Sequence, residues 1–405
     1  MTMRSIGLDL GSREVSFCEV RSGKVVARRT ASSVEMLNDL LGPGTAPARV
    51  AIEACREAWQ VHDLLTSWGH EVLLVDTTRA RRLGIGQHGR KTDRVDAEAL
   101  AQAVERGGIP TAHLLSPARR ELRDELHVRQ ALVETRAQYI TTIRGLVRAH
   151  AEKLERCATD DFTAKLRDAK LPPRTRELIE PLAQMLVLLD QQIASVNARL
   201  EKLCGVEPVI ERLTTTPGVG LIVSAAFVSV IDDAKRFQHA HQVESYLGLV
   251  PSEDTSGGRD KRRLGSITKH GNPYLRAMLI QAAWAIWRVR DDDPLKRWGH
   301  AVAKRRGKRI AVVAMARRLA GVLWALWRDG TVYDAARVGQ AIARGLNAQA
   351  QSIEVHAQAM KRAADKAHRR RKDIERTQPN APVPGGRARP RTRTSSAQKE
   401  VVTSS

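Results

Sequence analysis

The sequence predicts an α/β N-terminal domain with a mixed sheet, followed by a long helical segment and a mainly α-helical second domain. Residues 1–110 alternate between strand and helix patterns. Residues 111–205 are almost free of glycine and keep helical apolar spacing, and residues 206–334 combine apolar helices with a glycine turn. Residues 335–405 pass from a polar, basic helix into a tail that we expect to be disordered. A chain of 405 residues is long enough for two or three domains.

Within residues 1–110, the first three segments predict a meander of strands. Ile6–Asp9 is a short apolar run ended by glycine, Val15–Val20 alternates in hydropathy, and Lys24–Arg29 continues after a tight turn. The later elements are a strand over Ala48–Ala54, a helix over Ala58–Trp68, a buried strand over Glu71–Asp76 and a helix over Asp93–Glu105. A meander followed by alternating helices and strands indicates a mixed sheet.

The helical segment 111–205 shows apolar residues at helical spacing from Leu122 to Val133. Pro172-Pro173 interrupts the pattern, and Leu178–Leu203 resumes it with a heptad-like repeat. This pattern predicts a helical hairpin or coiled coil, although a plain helical bundle has the same signature.

The second domain, residues 206–334, opens on a tight glycine turn at Thr216–Gly220 before the apolar helix Leu221–Val230. Such a turn either presents backbone N–H groups to a phosphate or simply joins two helices. Further helices are predicted over Leu275–Arg288 and Ile310–Trp327.

The charge of the chain predicts a polyanionic partner. The formal net charge is +22, and the 12 basic and 3 acidic residues in 361–393 account for only part of it. Four scattered cysteines without a C-x-x-C pair argue against a disulfide framework or a cysteine zinc site. The N-terminus lacks a signal-peptide pattern and no run of about 18 uncharged apolar residues occurs. We therefore expect a basic cytoplasmic protein without a membrane partner.

Four acidic residues form the first candidate site. Asp9 ends the first strand, Glu53 lies near the end of the fourth, and Asp93 and Asp96 share one face at the start of a helix. An acid in an apolar strand lowers stability unless it is solvated, paired or metal-bound. If these four carboxylates converge, their oxygen atoms would suit Mg²⁺ or Mn²⁺ as ligands. Two such ions can assist phosphodiester cleavage. Taken singly, Asp9, Asp93 and Asp96 are also plausible turn or helix caps.

A serine on a glycine turn among cations forms the second candidate site. Ser256 lies in Thr255-Ser-Gly-Gly258, a turn that lets a backbone approach a phosphodiester while nearby cations stabilise the developing charge. Ser266 is a second candidate on the same grounds. The cations that we expect to contact nucleic acid are Arg259, Lys261, Arg262, Arg263, Lys269 and Arg276. The alternative is a solvated basic loop that only clamps phosphates.

Together, these motifs resemble the DEDD-class transposases of bacterial insertion sequences, the family that includes the Piv DNA invertase. The resemblance covers residues 4–330. The N-terminal motif KTDRVDAEALA is similar to the family's last acidic motif, and TTTPGVGLIVSAAFVSVI and YLGLVPSEDTSGGRDKRRLGSITKHGNPYLR are similar to its C-terminal signature. A Thr-Gly pair that commonly follows the family's Glu motif is replaced here by Ala54-Cys55.

The resemblance implies a RuvC-like, RNase H-fold catalytic domain that binds Mg²⁺ through the acidic quartet. It also implies that Ser256, rather than Ser266, joins covalently to DNA during excision and insertion of a mobile element. The implied partners are element-end and target DNA, in some members a structured non-coding guide RNA, and further copies of the chain in a dimer or tetramer. In such a multimer, acidic and serine sites of different subunits meet at one DNA strand.

Three other functions compete with this interpretation. An acid-only, junction-resolving nuclease would not need Ser256, and a non-enzymatic nucleic-acid-binding protein would use the acids as caps. The motif Gly7–Ser12 also resembles the first phosphate motif of sugar kinases and actin-like ATPases. Those proteins need a second phosphate loop and an adenosine motif, and residues 206–334 contain neither.

Overall fold

A computed structural model describes residues 3–11, 14–31, 35–55, 57–82, 93–254, 263–289 and 291–347, with a few isolated positions up to 366. Its N-terminal unit is built on five described strands. They are β1 (Arg4–Leu10), β2 (Val15–Arg21), β3 (Lys24–Ala31), β4 (Ala48–Glu53) and β5 (Glu71–Val75). The described helices of this unit are α1 (Met36–Leu41), α2 (Ala58–Ser67), α3 (Thr77–Arg82) and α4 (Asp93–Arg106).

The described strands form one mixed sheet in the order β3-β2-β1-β4-β5. The meander β1-β2-β3 is antiparallel, whereas β4 pairs in parallel with both β1 and β5. Neighbouring parallel strands must be joined by a crossover connection, and α2 is the crossover between β4 and β5. The predicted meander, mixed sheet and helix at Asp93 are confirmed.

The two faces of the sheet are covered by different helices. Alternate residues of β1, Ile6 and Leu8, are fully buried in the cluster that contains Leu37 of α1 and Leu65 of α2. The opposite face lies under α4, whose Leu100 packs in a second cluster with β4 and β5. Strand side chains point to opposite faces in turn, so each β1 residue can be assigned to one of these two layers.

Gly7 permits the close approach of α4 to the sheet. A Cβ atom at this position would overlap the carbonyl oxygen of Ala97 and lie 2.6 Å from the backbone nitrogen of Ala101. Both obstacles are helix backbone, so no side-chain rotation would relieve the overlap. The absence of a side chain at Gly7 therefore determines how close α4 lies to β1.

Two long helices follow the N-terminal unit. Helices α5 (Pro117–Ala149) and α7 (Pro173–Cys204) run antiparallel, and the short α6 (Phe162–Asp168) closes the far end of the pair. Cross-helix contacts recur along the pair: Arg136 binds Asp190, Arg129 binds Asn197, and Arg199 binds Glu125. The predicted long helices are confirmed, while a supercoiled geometry stays an expectation.

The second unit is mainly helical and surrounds one apolar helix. Its described helices are α8 (Pro208–Thr214), α9 (Leu221–Ile231), α10 (Ala240–Tyr246), α11 (Pro273–Arg288), α12 (Pro294–Arg306) and α13 (Lys308–Asp329). Strands β6 (Pro251–Asp254) and β7 (Arg263–Ile267) form a separate antiparallel pair.

Helix α13 is the central core helix of this unit. Its Leu319, Ala320 and Leu323 are fully buried among residues of α8 to α12. Among the described helices, α13 alone is long and apolar enough to cross a membrane by length and composition. However, 56% of its apolar stretch is buried inside the protein.

Candidate active site

The first part of the site is the pair Asp9 and Glu53 at adjacent strand ends. In the parallel pairing of β1 with β4, Leu8 lies opposite Ile52, so the next residues, Asp9 and Glu53, are neighbours across the two strands. Adjacent strands lie about 4.8 Å apart. Both acids are partly exposed, as expected at the end of a sheet.

Both carboxylates are on the face of the sheet that α4 covers. Gly7 contacts α4, and Ala51 packs in a cluster with Leu100 of the same helix. Asp9 and Glu53 each follow two residues later in an alternating strand, so they share that face. The strand pattern of the sequence thus places two acids at one edge and in one layer.

The direction of α4 brings its N-terminus to the same place. Gly7 lies against Ala97 and Ala101, while Gly23, near the opposite end of β1, donates its N–H to Glu105 at 2.9 Å. Helix α4 therefore has its N-terminus toward the carboxyl end of β1. The first turn of α4, which contains Asp96 and begins at Asp93, consequently lies at the Asp9 end of the sheet.

The donor chemistry of this edge suits a hard divalent cation. Asp9 and Glu53 are partly exposed carboxylates at one end of the sheet, and Asp96, also partly exposed, lies in the first turn of the helix that covers this end. The side chain of Asp93 lies outside the described part of the chain. Among the described side chains, no group of three acids, histidines or cysteines is already drawn together as a metal cluster. The quartet as a metal site therefore stays a prediction.

The second part of the site is the β6–β7 hairpin. Asp254 pairs with Arg263, so residues 255–262, which include Ser256, connect the two strands. Ser256, Arg259, Lys261 and Arg262 lie outside the described residues. Ser266 is described and lies within β7, with its side chain exposed. The sequence did not predict these two short strands.

The base of this hairpin is held by two close backbone approaches. A Cβ on Gly248 would lie 2.5 Å from the backbone nitrogen of His270, and one on Gly271 would lie 3.1 Å from the carbonyl carbon of Tyr246. Both glycines have a positive φ, +67° and +96°, which other residues rarely adopt. Segments 246–250 and 268–272 therefore lie directly against each other, one on each side of the hairpin.

Hydrogen bonds reinforce the same contact. Lys269 donates its N–H to the carbonyl oxygen of Gly248 at 3.0 Å, and Thr268 donates to Val250 at 2.9 Å. Lys269 itself has φ +57°, an uncommon conformation for a residue with a side chain, and its side chain is exposed. The hairpin that carries the Ser256 segment thus begins and ends on a fixed base.

One of the predicted nucleic-acid contacts also has a structural role. Arg276, in the first turn of α11, donates from Nη1 to the carbonyl oxygen of Leu247 at 3.0 Å. This contact ties α11 to the hairpin base. Arg263 is described only by its backbone at the start of β7. Nucleic-acid binding by Arg263, Lys269 and Arg276 stays a prediction.

A carboxylate that sequence reasoning missed joins the N-terminal unit to the second unit. Asp232, at the end of α9 with φ +64°, accepts from Ser116 Oγ at 2.7 Å and lies 2.6 Å from His113 Nε2. Burial alone would raise the pKa of Asp232, but the bonds from Ser116 and His113 outweigh it and the pKa is lowered. The unusual φ of a non-glycine residue is visible only in the structure.

Comparison with known proteins assigns the class. Residues 210–297 match a family described as "Transposase IS116/IS110/IS902 family", and residues 6–151 match one described as "Transposase". A "probable family 20 transposase" of Pseudomonas aeruginosa is 30% identical over 342 residues, which cover 82% of this chain and 99% of that protein. The transposase for insertion sequence element IS1328 of Yersinia enterocolitica is 26% identical and covers 81% and 98% of the two chains.

A third relative, the transposase for insertion sequence element IS1111A of Coxiella burnetii, is 26% identical over 80% of this chain and 89% of its own. These matches define the class of protein as a transposase. The chain belongs to the IS116/IS110/IS902 family of insertion-sequence transposases. A DEDD-type transposase domain is consistent with the five-stranded mixed sheet, with DNA as the partner and with a divalent metal ion.

Proposed function

We propose that this chain excises and inserts its own element by cutting and rejoining DNA, using a Mg²⁺-dependent acidic site and Ser256 as the nucleophile. The observation that carries the proposal is that Asp9, Glu53 and the first turn of α4 lie at the same edge of the sheet. A strongly basic protein that concentrates carboxylates at one edge has a use for them in metal-dependent work on a phosphodiester backbone.

The acidic residues have the role of holding the cation. Asp9, Glu53, Asp93 and Asp96 would supply its oxygen ligands, and Mn²⁺ would suit the same ligands. When bound, the ion would neutralise the charge that develops on the phosphoryl oxygens. The close packing of α4 on Gly7 supports this role, because it brings the first turn of α4 to the sheet edge that carries Asp9 and Glu53.

Ser256 has the role of forming a temporary bond to DNA. Its Oγ attacks phosphorus, an Oγ–P ester forms, and the bond from phosphorus to one deoxyribose oxygen breaks. The serine proton passes to water, and the leaving oxygen takes up a proton. A hydroxyl of a second strand then attacks the same phosphorus, which rejoins DNA and restores the serine.

The fixed hairpin base supports this role for Ser256. A nucleophile works when it is held close to the reacting atom, and misplacement by about 1 Å can cost about 100-fold in rate. The contact between Gly248 and His270 orients both strands that lead to Ser256. The exposed Lys269 and the predicted contacts at Arg259, Lys261, Arg262, Arg263 and Arg276 would attract the DNA backbone.

The proposal extends to assembly and guidance. In it, acidic and serine sites of different subunits of a dimer or tetramer act on one strand, and a structured RNA encoded by the element selects the DNA. The basic balance of the chain is compatible with RNA as well as DNA.

A cleavage assay on labelled DNA from the element ends tests the chemistry. We expect Mg²⁺-dependent cleavage that is lost in Asp9→Asn and in Ser256→Ala, and retained in Ser266→Ala. Ser266 is a matched control because it is exposed in β7, beside the same basic segment. Full cleavage by Ser256→Ala, lost only in the acidic variant, would instead establish an acid-only junction-resolving nuclease.

A further inference from the structure

A basic groove on the second unit, away from the acidic edge and the hairpin, carries no role in the function proposed above. It lies between α10, α12, α13 and the helical stretch 335–347, and its volume is about 1010 Å³. Seven arginines and three carboxylates line it in the described part of the chain. Such an excess of positive charge in one groove attracts an anion.

Two of the carboxylates are already used by arginines of the groove. Glu244 of α10 is paired with Arg317, and Asp329 is paired with Arg328. In contrast, Arg305 and Arg318 have no ion pair within 4.0 Å among the described residues. The groove therefore carries more positive than negative charge, and Arg305 and Arg318 have no carboxylate in direct contact among the described residues.

Arg318 is the most informative of these groups. Its guanidinium lies 4.5 Å from the centre of the Trp298 ring, and burial lowers its pKa below the usual range. A guanidinium stays charged in proteins, and the Glu244 carboxylate, which is paired with Arg317, acts on Arg318 only from beyond ion-pair distance. A partly desolvated guanidinium in this setting is stabilised when an anion binds it. The stacked pair also offers a flat guanidinium surface on which a base can stack.

The groove is too small to enclose a duplex. A cube of about 1010 Å³ has an edge of about 10 Å, whereas a duplex is wider than its own major groove, which is about 12 Å across. A single strand combines phosphates for the arginines with bases for the apolar wall, which includes Val322 and Ile342. The chain's own tail is a poor occupant, because residues 361–393 hold 12 basic and 3 acidic residues.

The geometry points to this groove as a binding site for single-stranded DNA, separate from the strand that is cut. DNA is the partner that the transposase family implies, and exchange of strands leaves unpaired segments that need to be held. Helix α10, which forms one wall, leads through residues 247–250 directly into β6. A strand in the groove would thus lie on the same rigid element that supports the hairpin.

Fluorescence anisotropy with short labelled oligonucleotides tests the site on the full-length protein. The measurement is made in EDTA, so binding is read without cleavage and independently of Ser256. The variants are Arg318→Gln and the exposed Arg305→Gln, with Arg167→Gln on α6 as the control outside the groove. The three probes are one sequence as single-stranded DNA, as RNA and as duplex DNA.

We expect Arg318→Gln to weaken single-stranded DNA binding about tenfold, since a charge-assisted hydrogen bond to phosphate is lost. We expect Arg305→Gln to act in the same direction, with the salt slope falling by about 0.7 for each phosphate contact removed. Arg167→Gln and duplex binding should remain unchanged. If Arg318→Gln does not fold, Arg305→Gln alone decides the test.

Three results would overturn the proposal. The first is wild-type affinity for single-stranded DNA in Arg305→Gln and in any folded Arg318→Gln. The second is an equal loss of duplex affinity, which would indicate general polyanion binding. The third is a loss of RNA affinity with DNA affinity unchanged, which would assign the groove to RNA.

Discussion

Replacing Gly7 by alanine tests whether the packing of α4 on the sheet controls the acidic site. The added Cβ would lie 2.6 Å from the backbone nitrogen of Ala101 and overlap the carbonyl oxygen of Ala97. Ordinary contact begins at 3.4 Å, so α4 must retreat by at least about 0.8 Å. Overpacking of this kind costs about 1–3 kcal/mol, within the roughly 5–15 kcal/mol that stabilises a protein.

The expected effect on activity is larger than the effect on stability. Retreat of α4 moves Asp93 and Asp96 away from Asp9 and Glu53, and a displacement of about 1 Å at an active site can cost about 100-fold in rate. We therefore expect Gly7→Ala to remain folded, with element-end cleavage reduced about 100-fold.

Circular dichroism during urea unfolding and the cleavage assay provide the two measurements. Gly145→Ala is the matched control, because Gly145 lies in the exposed face of α5 with no atom within 4 Å of its added Cβ. Alanine should stabilise that helix by about 1 kcal/mol. Unchanged stability and cleavage in Gly7→Ala would refute the argument that this glycine positions the acids.

Three further outcomes are expected. Gly248→Ala should abolish cleavage, because the alanine would be strained at φ +67° and would overlap His270 at the hairpin base. DNA binding in a gel-shift assay should remain, and normal cleavage would contradict this expectation. EDTA should abolish cleavage and Mg²⁺ should restore it, with cleavage in EDTA as the contrary result. Asp232→Asn should lower the free energy of unfolding at neutral pH by roughly 1–3 kcal/mol in urea titrations, because its bonds from His113 and Ser116 weaken.

The pH dependence of the Asp232 contact follows from its lowered pKa. A carboxyl group with a depressed folded-state pKa contributes stability above its unfolded value, about 3.9, and loses it as the pH falls through the folded value. The stability difference between wild type and Asp232→Asn should therefore shrink below about pH 4. A difference that is constant from pH 7 to pH 3 would contradict the assignment.

Local patterns were sufficient to predict the five strands and the helices α2 and α4 of the N-terminal unit, but not the short helices α1 and α3. Alternating hydropathy and turn residues identified β1 to β5, and an acid at each of two strand ends placed Asp9 and Glu53 at one edge once the parallel pairing was known. The helix start at Asp93 was visible because an acid precedes a run of helical spacing. The resemblance to insertion-sequence transposases followed from the motifs around these acids and the serine, and the family is confirmed.

Features made by contacts between distant segments were not predictable from the sequence. The strands β6 and β7 are only four and five residues long and flank a charged segment, so no alternation reveals them. The approach of Gly248 to His270 depends on how two separate segments fold back. The basic groove contains Arg305 of α12 and Arg318 of α13. These two residues line one groove only after the two helices have packed together.

Mass spectrometry of trapped protein–DNA adducts tests the central claim most directly. After cleavage in Mg²⁺, nuclease and trypsin treatment should leave a nucleotide on the peptide Phe237–Arg259, with fragmentation placing it on Ser256 rather than on Ser245 or Ser252. The adduct should be absent from Asp9→Asn. Efficient cleavage without any modified peptide, or a nucleotide on Leu264–Lys269, which contains Ser266, would contradict the serine mechanism.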